Sequence, residues 1–466
     1  MWDLIIKNGT AVTGSETFPA NIYVRDGKIA AISNIPLDGN STNTIDASGK
    51  HVFAGFFDAH THSRDPGAEH KETFWHSSRA AAMGGVTLMM EMPNVVPSIF
   101  NVENFQRQKE HLESKAFVDY ALWALCLGDV NNKDIMALSE AGAIGFKFFW
   151  GYALKRDTYG LAYSYTPGDP NLIPPLNDGE VLDIFKTVAQ TGKVLGIHAE
   201  NVHVIARLTS QIRECMSDYK NDYAAFLASR PPLTEETIVN TAILFSTLTK
   251  TPVHIMHVTS KGTVKLLDEA HRNNISITGE TAPHFLYFTD KNGDILGSQI
   301  PPVRTQADQD ALWDGLRTGA LSYVATDHAP HTPEEMKGNI FDVPSGICGI
   351  ETLVPLMATA VNEKRITMNE MATLLSEAPA KIFGIQERKG FLRVGADADI
   401  TIMDFNSEKV VDISQFQSVS KVSPFHGFKL KGIPTATIVR GNVVMLDQVL
   451  TGIQIGQFCT GKNERN

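Results

Sequence analysis

The chain of 466 residues has few cysteines, no surplus of basic charge and no long apolar run. Its four cysteines, Cys126, Cys215, Cys348 and Cys459, lie far apart. They form no CxxC pair and no short-spaced set. That excludes a disulfide framework and a thiolate zinc site, and fits reduced cytosolic thiols. Lysine and arginine number 41 against 52 aspartates and glutamates, for a formal net charge of −11. A nucleic-acid binder needs a basic face, so the balance argues against that class. No stretch is long and apolar enough to span a bilayer. The opening MWDLIIKNGT lacks the basic, apolar and small-residue regions of a secretory leader and reads as a strand and a turn. The expectation is a soluble, cytoplasmic enzyme with neither nucleic acid nor membrane as partner.

What is present is patterned. Hydrophobic residues make up 43% of the chain and charged ones 20%, enough for a large core. The first segment alternates β-type runs with turns in DLIIKNG, ANIYVRDGKIAAIS and TIDASGKHVF, with Asn8-Gly9 and Asp26-Gly27 as hairpin signals. Beyond residue 52 the texture changes. Eight apolar, strand-length runs follow: FAGFFDAH, VTLMMEMP, VDYALWALC, AIGFKFFW, VLGIHAE, PVHIMHVT, ISITGETAP and LSYVATDHA. They alternate with helical stretches over Glu72–Gly84, Val102–Lys115, Gly179–Gly192, Glu235–Lys250 and Lys261–Asn274. Continuous apolarity fits strands buried on both faces. The alternation predicts an α/β fold, a TIM-like (β/α)8 barrel. After Ile385, β-type segments return in FLRVGADADITIMDF and TATIVRGNVVMLD. Because the two ends look alike, they are expected to pair into a small β-sandwich built from the N- and C-terminal segments. The expected organisation is 1–52 sandwich, 53–386 barrel, 387–455 sandwich and 456–466 loose tail. One insertion, Gly151–Asn177, is rich in Tyr, Gly and Pro and follows the fourth strand. Its length suggests a lid.

Catalytic groups of such a barrel gather at the C-terminal ends of its strands. Here those ends carry metal-type ligands in order. His60 and His62 end the first strand, Lys147 lies in the fourth, His198 ends the fifth, His257 the sixth and Asp327 the eighth. The HxH spacing puts both imidazoles on one face of a strand. Imidazole nitrogens and a carboxylate suit zinc and similar divalent ions. HxH alone is weak, and a lone histidine is more often a satisfied structural residue. Several such residues at successive strand ends are hard to explain as packing, since buried polar groups cost free energy unless paired. Lys147 is the odd member: an ammonium inside a buried strand is costly and cannot ligate a cation. It is either a structural lysine paired with a carboxylate or a modified lysine that presents one.

HTH, FK on the fourth strand, HAE, HVTS and TDHAPHT together resemble the cyclic amidohydrolases: dihydroorotase, allantoinase, hydantoinase and dihydropyrimidinase. The similarity reaches the closing VGADADITIMDF and so covers nearly the whole chain. The resemblance implies a binuclear centre of two divalent metal ions, zinc expected, bridged by a carbamylated Lys147. His60, His62 and Asp327 would hold one ion, and His198 and His257 the other. It implies ring opening of a cyclic amide by a hydroxide held between the ions, with Asp327 as general base. Tyr152, in FKFFWGY, matches the tyrosine that stabilises the oxyanion in dihydropyrimidinases and hydantoinases. A homo-oligomer, dimer or tetramer, is expected from the resemblance alone.

Substrate features point two ways. In HTHSRDPG, Arg64 takes the place of the arginine with which dihydroorotases bind a substrate carboxylate, and Asn94 and His331 match further positions of that site. Against this, Ile300 stands where dihydroorotases place an asparagine before the two prolines of IPPVR. GETAPHFL is similar to the allantoinase pattern. The Lys147–Tyr152 spacing, the insertion after it and SPFHG (Ser423–Gly427) are similar to the hydantoinase branch. VPSGICGIET resembles the substrate-facing loop, in which the backbone around Gly346 would hold the ureide edge; its glycines could equally be turn residues. The reading is therefore a cyclic-ureide hydrolase of hydantoinase or allantoinase type, with dihydroorotase as the alternative. A mononuclear zinc deaminase could also use HxH, later histidines and an aspartate, but has no use for Lys147. A non-catalytic scaffold would have lost ligands that are all present here.

Overall fold

The eight apolar runs become eight strands in the computed structural model, which describes residues 1–162 and 168–461. They are β1 (Phe56–Thr61), β2 (Val86–Glu91), β3 (Asp119–Leu125), β4 (Gly145–Trp150), β5 (Leu195–Ala199), β6 (Val253–Ile255), β7 (Ile277–Thr281) and β8 (Tyr323–Val324). Neighbours in sequence are hydrogen-bonded neighbours in space, and every pairing is parallel. The ring closes just beyond β8. His62 N donates to His328 O at 2.7 Å, and Thr326 N donates to the buried Asp58 carboxylate at 3.0 Å. Both faces of the strands are covered, as their continuous apolarity requires. Phe57, Leu88, Met90, Trp123 and Met256 fill the barrel interior, while Phe56, Met89, Tyr120 and Leu122 face the helices. Gly196 on β5 is required by this filling: a Cβ there would come within 2.6 Å of Met256 and 2.9 Å of Trp123.

The expected helices are present, over Phe74–Gly84, Val102–Glu113, Asp178–Ala189, Pro232–Thr249 and Lys261–Arg272. Three of these starts show how side chains cap them. Asn101, Asn177 and Ser260 accept from the backbone N–H of Asn104, Glu180 and Thr263, satisfying donors that the first turn leaves open. The insertion after β4 forms a small sheet in which Ala153–Lys155 pairs with Leu161–Ala162 and Leu172–Ile173. The expected lid over Gly151–Asn177 falls partly on 163–167, outside the described residues.

The chain ends meet in one nine-stranded sheet. His51–Ala54 makes the seam, pairing parallel with Trp2–Val12 on one side and antiparallel with Ile400–Val410 on the other. Leu4, Ile6, Ile22 and Val24 from the N-terminal part share a buried cluster with Ile400, Ile402, Ala436 and Ile438 from the C-terminal part. Asp26 and Gly27, at φ 53° and 71°, form the expected hairpin turn. Asn8-Gly9 does not turn the chain. It lies inside the strand Trp2–Val12 as a register shift, with Asn8 at φ 59°. There Gly9 leaves room for Val52, which a Cβ would approach to 2.7 Å. The tail begins as an ordered strap: Cys459 N donates to Tyr120 O at 2.7 Å, and Phe458 packs on Phe105 and Tyr120. Residues 462–466 lie outside the described residues. All four cysteines are free.

A buried ion cluster ties the terminal sheet to the floor of the barrel. Lys389, 1% exposed, donates to Asp119 at the start of β3 (2.6 Å) and to Asp399 beside the sheet (2.5 Å). Burial works against its charge, but Asp399 and Asp119 outweigh it and hold the ammonium well above its ordinary pKa. Lys389→Met would leave the buried Asp399 without its cation and Asp119 with Arg440 alone. Denaturant unfolding should show a loss of about 3–5 kcal/mol, the cost of breaking a buried pair on one side; a loss below about 1 kcal/mol would mean that the cluster does not join the two parts.

Candidate active site

At the C-terminal mouth of the barrel, His60, His62, Lys147, His198, His257 and Asp327 line one cavity of about 50 Å³, with Arg64, Asn94 and Ile300 on its wall. The strands β1, β4 and β5 and the ends of β6 and β8 deliver these side chains. Asp327 and His257 take up the left-handed region, at φ 50° and 40°. Such backbone is costly for residues other than glycine and persists where its surroundings enforce it, commonly at functional sites.

The donors fall into two groups. His60 Nε2 and His62 Nε2 each lie 3.3 Å from Asp327 Oδ1. Ligand atoms of these three residues all fall within 4.8 Å of one another. The far side of each ring is held: His60 Nδ1 lies 2.5 Å from Glu280 Oε1, and His62 Nδ1 lies 2.8 Å from Asn94 Oδ1. Each Nδ1 therefore carries the proton and each Nε2 keeps its lone pair toward the cavity. In the second group His198 Nε2 donates to Glu200 Oε2 at 2.9 Å, which turns Nδ1 inward to within 2.8 Å of His257 Nε2. His257 Nδ1 is buried with no hydrogen-bond partner among the described residues.

Electrostatics keep these groups in ligand-ready states. Burial lowers His62 to about 4, although its hydrogen bond to Asp327 works the other way. Burial also lowers His198, and burial reinforced by His198 and Lys147 puts His257 well below its ordinary value. Burial would raise Asp327, but His60 and then His62 more than offset it, and the carboxylate sits well below its usual range. Neutral imidazoles and an ionised carboxylate are the donor set of a divalent-cation site.

Lys147 settles one alternative. It is fully buried on β4, and its Nζ contacts the Met256 sulfur at 2.6 Å and lies 4.6 Å from the Phe149 ring centre. Among the described residues no carboxylate comes within ion-pair distance of it, so it is not a structural lysine paired with an acid. Burial lowers its pKa to about 8.

The remaining expected residues stand at varied distances. Arg64 (φ 61°) bonds Pro330 O at 3.2 Å and lies 3.1 Å from His331 Nε2. His331 is outside the cavity lining, beside Lys71 at 3.3 Å. Tyr152 also stands outside it, with its ring centre 5.0 Å from His198 and its hydroxyl 3.4 Å from Glu200 Oε2. Gly346 is not among the residues lining the cavity; its φ is +141°, and a Cβ would fall 2.1 Å from Ala329 O. Its neighbour Ser345 reaches the cavity and accepts from Ile300 N at 2.8 Å.

Sequence reasoning missed the supporting residues. Glu280 ends β7, the one strand of the later barrel given no polar role, and its two oxygens hold His60 and His254. Glu200 lies two residues after His198, the spacing that puts both on one face of a strand, and is clamped by Arg230 Nη1 at 2.8 Å to each oxygen.

Fold and mouth together define a parallel α/β barrel with a nitrogen- and oxygen-donor site suited to divalent cations. The model of the amidohydrolase family matches residues 51–444. An L-hydantoinase of Paenarthrobacter aurescens is 34% identical over 474 residues, covering 99% of each chain. A dihydroorotase of Bacillus cytotoxicus is 32% identical, over 94% of this chain and 97% of that one, and an allantoinase of Enterococcus faecalis is 30% identical over 97% of each. The solved structure of an L-hydantoinase (dihydropyrimidinase) from Arthrobacter aurescens superposes with a TM-score of 0.91 at 33% identity, covering 99% of this chain and 100% of that one. The chain belongs to the amidohydrolase family. No helix among the described residues is long and apolar enough to cross a membrane.

One carboxyl behind the mouth titrates in an accessible range. Glu91, fully buried at the end of β2, accepts from Ser63 N at 2.7 Å and from Thr61 Oγ1 at 3.2 Å. Burial raises it from 4.5 to about 8. The unfolded chain therefore releases this proton near pH 4.5 and the folded chain only near 8, so folding becomes less favourable as pH rises between them. Glu91→Gln removes that dependence. The stability of the variant relative to the parent, from urea unfolding, should grow between about pH 5 and 8; a difference that stays flat would place Glu91 as an ordinary ionised acid.

Proposed function

We propose that this chain is a metal-dependent cyclic amidohydrolase that opens the ring C–N amide bond of a cyclic ureide, of hydantoinase or allantoinase type. The observation that carries the reading is the convergence of four imidazoles, Asp327 and an unpaired, buried Lys147 on one cavity. Its relatives by name hydrolyse such rings.

In this reading His60, His62 and Asp327 would hold one divalent cation and His198 and His257 a second, with Lys147, as a carbamate, completing the donor set and zinc the expected ion. Carbamylation requires Nζ as a free amine, which adds to carbon dioxide and loses a proton. Burial in an apolar setting favours that neutral form. When bound, the cations lower the pKa of a shared water toward neutrality and polarise the ring carbonyl. Asp327 accepts the proton of the attacking water and returns it to the departing ring nitrogen, the exchange that its ionised state permits. Glu280, Asn94 and Glu200 fix the imidazole rings. Tyr152 would donate a hydrogen bond from its hydroxyl to the developing oxyanion. A cytoplasmic homo-oligomer, dimer or tetramer, is the setting the family resemblance implies.

The dihydroorotase alternative draws on one observation: Arg64, His331 and Lys71 are grouped, as a carboxylate site needs. Two facts weigh against it. Lys71 is already paired with Glu335 at 2.7 Å, and the wall at 300 is an isoleucine.

Ring opening on a panel of hydantoin, substituted hydantoins, allantoin, dihydrouracil and dihydroorotate, followed as ureido-acid product, tests the reading. Turnover of a neutral ureide well above that of dihydroorotate is expected; preferred turnover of dihydroorotate would transfer the chain to the alternative. Lys147→Ala should abolish activity and lower the bound metal measured by elemental analysis. Full activity with unchanged metal content would remove the carbamate.

A further inference from the structure

The floor of the barrel, at the strand ends opposite the mouth, holds a separate cavity of about 190 Å³. Ile144 and Pro252 in its wall immediately precede β4 and β6, and Lys193 stands two residues before β5. The helix Ala378–Ile382 contributes its end, with Lys381, Ile382 and Phe383. Among the described residues, the only polar side chains in the lining are the two lysines, and no acid joins them. The cavity shares no lining residue with the one at the mouth.

Lys193 is the unusual member. Three lysines are buried among the described residues: Lys147, Lys193 and Lys389. Lys389 is matched by Asp119 and Asp399, and Lys147 belongs to the donor set at the mouth. Lys193, 7% exposed, has neither arrangement. Its ammonium donates to Ala143 O, and among the described residues no carboxylate comes within ion-pair distance of it. Burial lowers its pKa to about 8 with no acid opposing the fall, so the group still holds its proton at neutral pH. A buried charge without a counter-charge is costly. Lys381 adds a second cation without an acidic partner among the described residues, its Nζ lying 5.4 Å from the Phe391 ring centre. A chain of net charge −11 thus keeps two positive charges and no negative one around this cavity. An inorganic anion would satisfy those charges but leave Ile144, Ile382 and Phe383 against water. A carboxylate on a short hydrocarbon body satisfies both, since apolar area removed from water is stabilising.

We propose that this cavity is a binding site for a small organic carboxylate, remote from the mouth, in which Lys193 and Lys381 take the head group and Ile144, Ile382 and Phe383 take the apolar body. The site stands on the buried, acid-free Lys193 and on the lining, and does not depend on the ring-opening function proposed above.

Calorimetric titration of the full-length, metal-loaded chain at neutral pH tests the site with three probes: isovalerate, its uncharged amide isovaleramide, and inorganic phosphate. Isovalerate should bind. The amide, which lacks the charge, should bind about tenfold or more weakly, the worth of a hydrogen bond to a charged group. Phosphate, which lacks the hydrocarbon, should also be weaker by about tenfold or more. Lys193→Met and Lys381→Met should each weaken isovalerate by about tenfold, while Lys381→Arg retains it. Melting curves give a second readout: isovalerate should raise the midpoint of the parent and of Lys381→Arg but not of Lys381→Met. Lys381 is exposed, so this variant decides the matter even if Lys193→Met fails to fold. No heat at millimolar isovalerate, or amide or phosphate binding as tightly, would overturn the inference. So would isovalerate binding undiminished in Lys381→Met, which would place the carboxylate at the mouth instead.

Discussion

Gathering largely buried charge and lone pairs at the mouth of the barrel is the constraint around which this molecule is organised. Four imidazoles, a carboxylate and a lysine share a cavity of about 50 Å³. Left to themselves, such groups would pay desolvation without compensation. The structure answers on the far side of each ring. Glu280, Asn94 and Glu200 take the outward nitrogens, and Arg230 neutralises Glu200 in turn. What remains uncompensated points inward, and Lys147, beside a thioether and an aromatic ring, is the plainest case. A barrel that spends buried hydrogen bonds on orienting lone pairs toward one space is built to be completed there by cations.

The scaffold explains why these groups can be held so closely. They come from five strands or the residues just beyond them, and the strands are fixed by parallel pairing and by a dense interior in which Gly196 makes room for Met256 and Trp123. Met256 is thus both a filler of the barrel and the lid over the lysine. Packing and chemistry meet in that residue, so the position of Lys147 is inherited from the core rather than from a loop.

Much of this was legible in the order of residues. Strands buried on both faces announce themselves as unbroken apolar runs, and a histidine, lysine or aspartate at the end of such a run has few reasons to be there. That logic recovers His60, His62, Lys147, His198, His257 and Asp327. It fails for groups whose meaning depends on partners distant in sequence. Glu280 touches His60 across 220 positions, and nothing local distinguishes it from an ordinary buried acid. At Gly346 the φ of +141° and the nearness of Ala329 bar any larger side chain, a packing constraint that only coordinates reveal. Asn8-Gly9 carried the letters of a hairpin, but the left-handed conformation they permit serves equally well in a bulge, and Val52 decides between the two.

The seam of the terminal sheet has a consequence for synthesis. Among the described residues, His51–Ala54 finds its antiparallel partner only in Ile400–Val410. On a ribosome adding about 5–20 residues each second, the N-terminal strands emerge and then wait roughly half a minute for the segment that covers them. Throughout that interval an unpaired strand edge and the apolar face of Leu4, Ile6 and Ile22 stand open beside a growing barrel. The vulnerable moment in the life of this protein therefore falls before its last seventy or so residues exist, which makes the early chain, rather than the finished enzyme, the natural client of a chaperone.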